Sequence, residues 1–205
     1  MDKVVQTALR LRIVKAQVGL AAADSTGLET ERASHYFALR SKKKRSHWLK
    51  IGLVCDTKSG FYLSVDISRG PSNDMGIARR LLWCAYKRVP FKRVVMDKGF
   101  DSGPVHAFVN EELKARCIIP ERRLTDRAPK NRYRWMMRYH FRKKTYGQRW
   151  QIESAISRDK RRFGCALRGR VWEAQVAEAY IWALIHNIGI VLFFPALRQL
   201  SRLAA

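Results

Sequence analysis

The sequence predicts an α/β domain built on a mixed sheet with helices on both faces, in the element order βββαβαβ-α. Two observations lead there. Three apolar runs of strand length, separated by turn-forming residues, fill the first third of the chain. Amphipathic helix-length segments then alternate with short apolar runs, which places crossover helices between strands.

The first strand is read at Val18 to Ala23, ending in a turn-like Asp24-Ser25-Thr26-Gly27. Trp48 to Cys55 and Phe61 to Ile67 flank Asp56-Thr57-Lys58-Ser59-Gly60 and read as an antiparallel hairpin. Asn73 or Asp74 caps a helix reaching about Lys87, with Ile77, Leu81, Leu82 and Ala85 on its apolar face. Arg93 to Met96 is a short strand followed by Asp97-Lys98-Gly99-Phe100-Asp101. Pro104 to Leu113 is a helix, and Arg116 to Pro120 a further strand. The basic, aromatic-rich stretch at 121–145 shows no clear period and is expected to be a mostly irregular connection. Helices follow from Tyr146 to about Phe163 and from Trp172 to Phe194. This is the ribonuclease-H-like layout.

Composition narrows the partners. Forty-one Lys and Arg against 17 Asp and Glu leave a net charge of +24, which favours a polyanion: DNA, RNA or an anionic membrane surface. Cys55, Cys84, Cys117 and Cys165 are scattered, without a CxxC pair or a histidine at zinc spacing, and read as reduced thiols. The first 20 residues are mixed polar and apolar, without the continuous apolar core of a signal peptide. Residues 179–197 are apolar enough to suggest a membrane span, but they carry His186 and Asn187, and a buried core helix with no membrane partner is the expectation.

Three acids are placed for chemistry. Asp24 and Asp97 each follow a strand, and in an open sheet two such strands can lie side by side with functional groups at their carboxyl ends. Glu153 lies within a helix on which Tyr146, Arg149, Glu153 and Lys160 are three, four and seven residues apart, spacings that keep them on one face. Converging carboxylates suit magnesium or manganese, and two such ions support phosphodiester chemistry. Arg, Lys and Tyr suit phosphate oxygens. Taken singly, Asp24 and Asp97 also fit turn formers, and Glu153 a solvated helix surface. Asp101 and Asp74 are lesser candidates, with capping the stronger reading for Asp74.

The helix Tyr146-Gly-Gln-Arg149-Trp-Gln-Ile-Glu153-Ser-Ala-Ile-Ser-Arg-Asp-Lys160 resembles the tyrosine, arginine, glutamate and lysine signature of DDE transposases of the bacterial insertion-sequence type. Ala23-Asp24-Ser25-Thr26-Gly27-Leu28 is similar to that family's first-aspartate motif, and Met96-Asp97-Lys98-Gly99-Phe100-Asp101-Ser102 to its second. The resemblance implies that Asp24, Asp97 and Glu153 are catalytic and bind two divalent metal ions. It also implies cut-and-paste transposition, with cleavage at transposon ends and strand transfer into target DNA. Tyr146, Arg149 and Lys160 would contact that DNA; Arg161, Arg162 and Arg168 complete the expected DNA-binding set. A homodimer in a synaptic complex and a cytoplasmic, nucleoid-associated location follow from the same resemblance. Residues 1–23 are expected to be a short leader and 24–200 the catalytic domain, without a separate N-terminal DNA-binding domain. The competing expectations are a truncated, inactive DNA-binding remnant and a metal-dependent nuclease of the same fold.

Overall fold

The computed structural model describes residues 1–30, 48–70, 74–122 and 128–203. Asn73, the alternative cap, and residues 123–127 of the basic stretch lie outside the described residues. Strands β1 (Ala21–Glu29), β2 (Trp48–Asp56), β3 (Tyr62–Arg69), β4 (Arg93–Met96) and β5 (Arg116–Ile118) form one sheet in the order β3-β2-β1-β4-β5. The β1–β2 and β2–β3 pairs are antiparallel, whereas β1–β4 and β4–β5 are parallel. The mixed sheet expected from the element order is therefore present.

Side-chain alternation along the strands divides the core in two. Ala21, Ala23, Val94 and Met96 face a cluster built with helices α1 (Asp2–Arg10), α2 (Asp74–Arg88) and α3, which begins as Gly103–Ala107 and continues as a wider π turn through Glu112. Ala22, Leu53, Cys55 and Val95 face the other cluster, built with α4 (Arg132–Tyr139), α6 (Trp150–Phe163) and α7 (Trp172–Leu203). Between α4 and α6 lie one short helix, α5 (Lys143–Tyr146), and a single 3-10 turn at Gly147–Arg149.

Four expectations need correction. β1 does not stop at Ala23. The Asp-Ser-Thr-Gly segment stays in the strand because every residue from Ala21 to Glu29 has a partner on β2, and that long ladder overrides the local turn preference. Residues 1–23 are not simply a leader, since α1 buries Val5 and Ala8 in the first cluster. The basic stretch contains a helix, α4, capped by the Asn131 side chain, which accepts the Tyr133 and Arg134 N–H groups at 3.0 and 3.2 Å. Met137 is its buried side chain, too little for a visible period. Helix α7 is not a fully buried core helix. Ala179, Trp182, Ala183, His186 and Asn187 face inward, while Ile181, Ile185, Leu192 and Phe193 are exposed. By length and composition its segment Trp172–Phe194 could cross a membrane, with mean hydropathy 1.6.

The polar residues of that segment attach it to the sheet. Asn187 accepts the Tyr62 N–H and donates to the Tyr62 carbonyl, both at 2.8 Å, satisfying backbone groups on the edge strand β3. His186 lies against Tyr62 with ring centroids 3.9 Å apart. Its Nδ1 is 2.7 Å from the Asp159 carboxylate of α6, and its Nε2 is 3.0 Å from the Gly60 carbonyl. Asp159 also accepts the Tyr62 hydroxyl at 2.8 Å. One buried polar cluster thus joins β3, α6 and α7. Asn187→Ala leaves two buried backbone groups unpaired and is expected to cost about 2–4 kcal/mol in urea denaturation. Exposed Ile185→Ala is expected to change stability by less than about 1 kcal/mol.

Candidate active site

The parallel β1–β4 register positions the first two acids. Ala22 pairs with Val95 and Ala23 with Met96, so Asp24 and Asp97 come next on adjacent strands. Alternation puts both on the face that packs against α6. β4 ends there, and the chain turns through Lys98–Phe100, while β1 runs on. Asp24 is thus a mid-strand residue at the point where its parallel neighbour stops. The expected adjacency holds, with a different local cause.

The third acid comes from α6, whose Ile152, Ala155 and Ile156 are buried against that face. This orientation leaves Glu153 at the cleft, four residues after Arg149. The Arg149 guanidinium joins the group. Its Nη1 lies 3.2 Å from Asp24 Oδ2, its Nη2 lies 3.8 Å from Asp97 Oδ1, and it is hydrogen-bonded to Glu153 Oε1. The three acids are therefore gathered around a cation from this chain rather than around one another. Among the described residues no group of three His, Cys, Asp or Glu side chains converges as a ready-made metal cage.

The electrostatics show how well this arrangement is balanced. Burial pushes the Asp24 carboxyl up to about 6; the Ser25 N–H and Arg149 oppose that shift, while Asp97 and Glu153 add to it. Burial alone would lower the Arg149 pKa, but Asp24, the Tyr146 phenol, Glu153 and Asp97 hold it above its ordinary value. One positive charge is shared among three negative ones, so the cluster remains short of cations despite the basic chain around it.

The other expected residues are distributed unevenly. Lys160 Nζ is 2.5 Å from Thr26 Oγ1, two residues along the same face of β1 from Asp24. Together with Arg161 it lines a cleft of about 560 Å³ that also contains Asp24, Glu153 and Ser157. Tyr146 stacks near Arg149, with the guanidinium carbon 5.9 Å from its ring centre. Arg162 is turned away: its guanidinium lies beside Gly189 of α7, because nine residues along a helix from Glu153 reach the opposite face. Arg168 is exposed beyond the far end of β1, where the adjacent Leu167 N–H donates to the Glu29 carbonyl.

The lesser acidic candidates have structural partners. Asp101 is buried, with two bonds from Arg134 Nε and Nη2 at 3.0 and 2.8 Å to one oxygen. It also accepts the Arg122 N–H, and His106 and Arg134 hold its pKa below the usual carboxylate range although burial opposes this. Asp74 is bonded to Ser25 Oγ and lies 2.6 Å from Lys50 Nζ, on the sheet face opposite Asp24. Sequence reasoning missed the guanidinium at the centre of the cluster. The four-residue Arg149–Glu153 spacing signals their ion pair. Nothing local signals the contacts to Asp24 and Asp97.

A five-stranded mixed sheet with covered faces and acids side by side at the end of a parallel strand pair defines a domain of the ribonuclease-H-like class. The chain belongs to the family described as the transposase DDE domain, which matches residues 19–188. Its fold is similar to that of a piggyBac transposase in a synaptic complex with hairpin DNA, with a TM-score of 0.57 and 12% identity. The similarity covers 91% of this chain and 51% of that one, so this chain spans about half the length of that transposase. No curated protein sequence matches this one.

A pH dependence follows from Asp24. The folded chain retains its proton up to about pH 6, whereas the unfolded chain releases it near 3.8. The unfolded state therefore binds fewer protons in that window, and this contribution to stability falls as pH rises through it. The difference is of order 1–3 kcal/mol. Asp24→Asn is expected to flatten the decline between pH 4 and pH 6 in denaturant titrations. An unchanged slope in the variant contradicts the assignment.

Proposed function

We propose that this chain is the catalytic domain of a DNA transposase that cleaves transposon ends and transfers strands into target DNA with divalent metal ions. The observation that carries the reading is the gathering of Asp24, Asp97 and Glu153 at one cleft of a DDE-family fold. The donor set suits the metal: three carboxylates are hard oxygen ligands, and they share a single guanidinium among three negative charges. Asp24, Asp97 and Glu153 would hold magnesium or manganese, two ions in the full mechanism. Bound there, the metal supplies activation of an attacking oxygen and stabilisation of a leaving one.

The chain's own residues serve the DNA. Lys160 and Arg161 beside the acids would hold backbone phosphates, and Tyr146 would offer a neutral donor near the cleaved strand. Arg168 would extend the contact beyond the end of β1; Arg162, directed at α7, would not take part. The exposed rings of Trp135 and Tyr139, 4.9 Å apart on a helix rich in arginine, suit stacking with unpaired bases. A homodimer on paired transposon ends and a nucleoid-associated location belong to the same proposal.

The test uses a duplex bearing the element's inverted-repeat ends, incubated with the purified chain and magnesium. Cleavage at the ends is expected, and Glu153→Gln or Asp97→Asn is expected to reduce it by roughly a thousandfold or more. Cutting without preference for the ends identifies a nuclease of the same fold, and binding without cutting identifies a DNA-binding remnant. Lys160→Ala is expected to weaken DNA binding similarly for all sequences and to lower the salt slope by about 1.

A further inference from the structure

The cation held among the three acids is not free to bind phosphate. Arg149 is engaged with Asp24, Asp97 and Glu153, and its side chain is 17% exposed. Lys160, by contrast, is bonded to the neutral Thr26 hydroxyl. A guanidinium cannot release its proton near neutral pH, so it cannot yield its place by becoming neutral. A divalent cation binding the same carboxylate oxygens would face a fixed positive charge a few ångströms away. The guanidinium must then move.

Resting on the metal reading above and on the DNA contact that the family resemblance implies for Arg149, we infer that Arg149 is an internal counter-ion that competes with metal for the three acids and reaches its DNA phosphate only once displaced. Its planar fork matches a phosphate as well as it matches a carboxylate. Its long side chain lets it exchange partners while α6 stays packed through Ile152 and Ile156. Without DNA the acids and Arg149 hold one another, and metal binding must break those ion pairs. With DNA present, the displaced guanidinium gains a new partner. Metal and DNA therefore favour each other's binding through one side chain, and the coupling is reciprocal. The same contact limits repulsion among the three acids when neither ligand is bound.

The test is the affinity of the full chain for Mn²⁺, read from the electron paramagnetic resonance signal of the free ion at fixed ionic strength. Circular dichroism confirms that each variant is folded, and the triple variant Asp24→Asn, Asp97→Asn, Glu153→Gln supplies the background. Without DNA, Arg149→Gln is expected to bind Mn²⁺ about tenfold more tightly than the wild type, because a competing charge is gone. Arg149→Lys, which keeps the charge, is expected to stay near the wild-type value. A short duplex should raise Mn²⁺ affinity more in the wild type than in Arg149→Gln. Equal affinities without DNA, or weaker binding by Arg149→Gln, overturn the competition. Failure of wild type and Arg149→Gln alike to bind above the triple-variant background overturns the metal reading itself, and this inference with it.

Discussion

The short parallel ladder between β1 and β4 is the constraint on which the cleft depends. Three residue pairs, Ala21–Val94, Ala22–Val95 and Ala23–Met96, place Asp24 and Asp97 side by side on one face of the sheet. A slip of one residue would send one acid to the face covered by α2, because side chains alternate along a strand. The small alanines of β1 are fully buried between the two cores, and Val94, Val95 and Met96 are equally enclosed. Hydrophobic burial on both faces therefore sets the register that the polar site uses.

The third acid depends on a different set of contacts. Helix α6 is held against the sheet by Ile152, Ala155 and Ile156, and its Asp159 is bonded to Tyr62 on β3 and to His186 on α7. The buried polar cluster and the apolar stripe together fix the rotation of α6 about its axis, and that rotation presents Glu153 and Lys160 to the cleft. Stability and chemistry oppose each other here. Burial raises the Asp24 pKa and the nearby Asp97 and Glu153 add to it, while the Ser25 N–H and the Arg149 guanidinium offset only part of that cost.

Much of this was legible in the chain. The hairpin was visible because Asp56 and Gly60 suit its turn: Asp56 accepts the Lys58 and Ser59 N–H groups, and Gly60 takes a φ of +73°. The face carrying Arg149, Glu153 and Lys160 followed from helical spacing, and it survives a short 3-10 turn between Tyr146 and Trp150. Helix α4 was not visible, because with one buried residue it carries almost no periodic signal; its cap and its pairs to Asp101 and Glu121 hold it instead. The extension of β1 was hidden for another reason: Asp-Ser-Thr-Gly has turn chemistry, and only a nine-residue partner strand shows that the ladder wins.

By itself the sequence determined the residue types of the site, their order and the helical face they share, because these follow from composition and from periods of a few residues. It also determined the α/β class, through the alternation of strand-like and helix-like runs. Only the tertiary structure decided that Asp24 lies mid-strand, that Arg162 faces α7 and that Arg149 sits among the acids. Those facts depend on register, helix rotation and the packing of segments more than a hundred residues apart, and no local pattern encodes them.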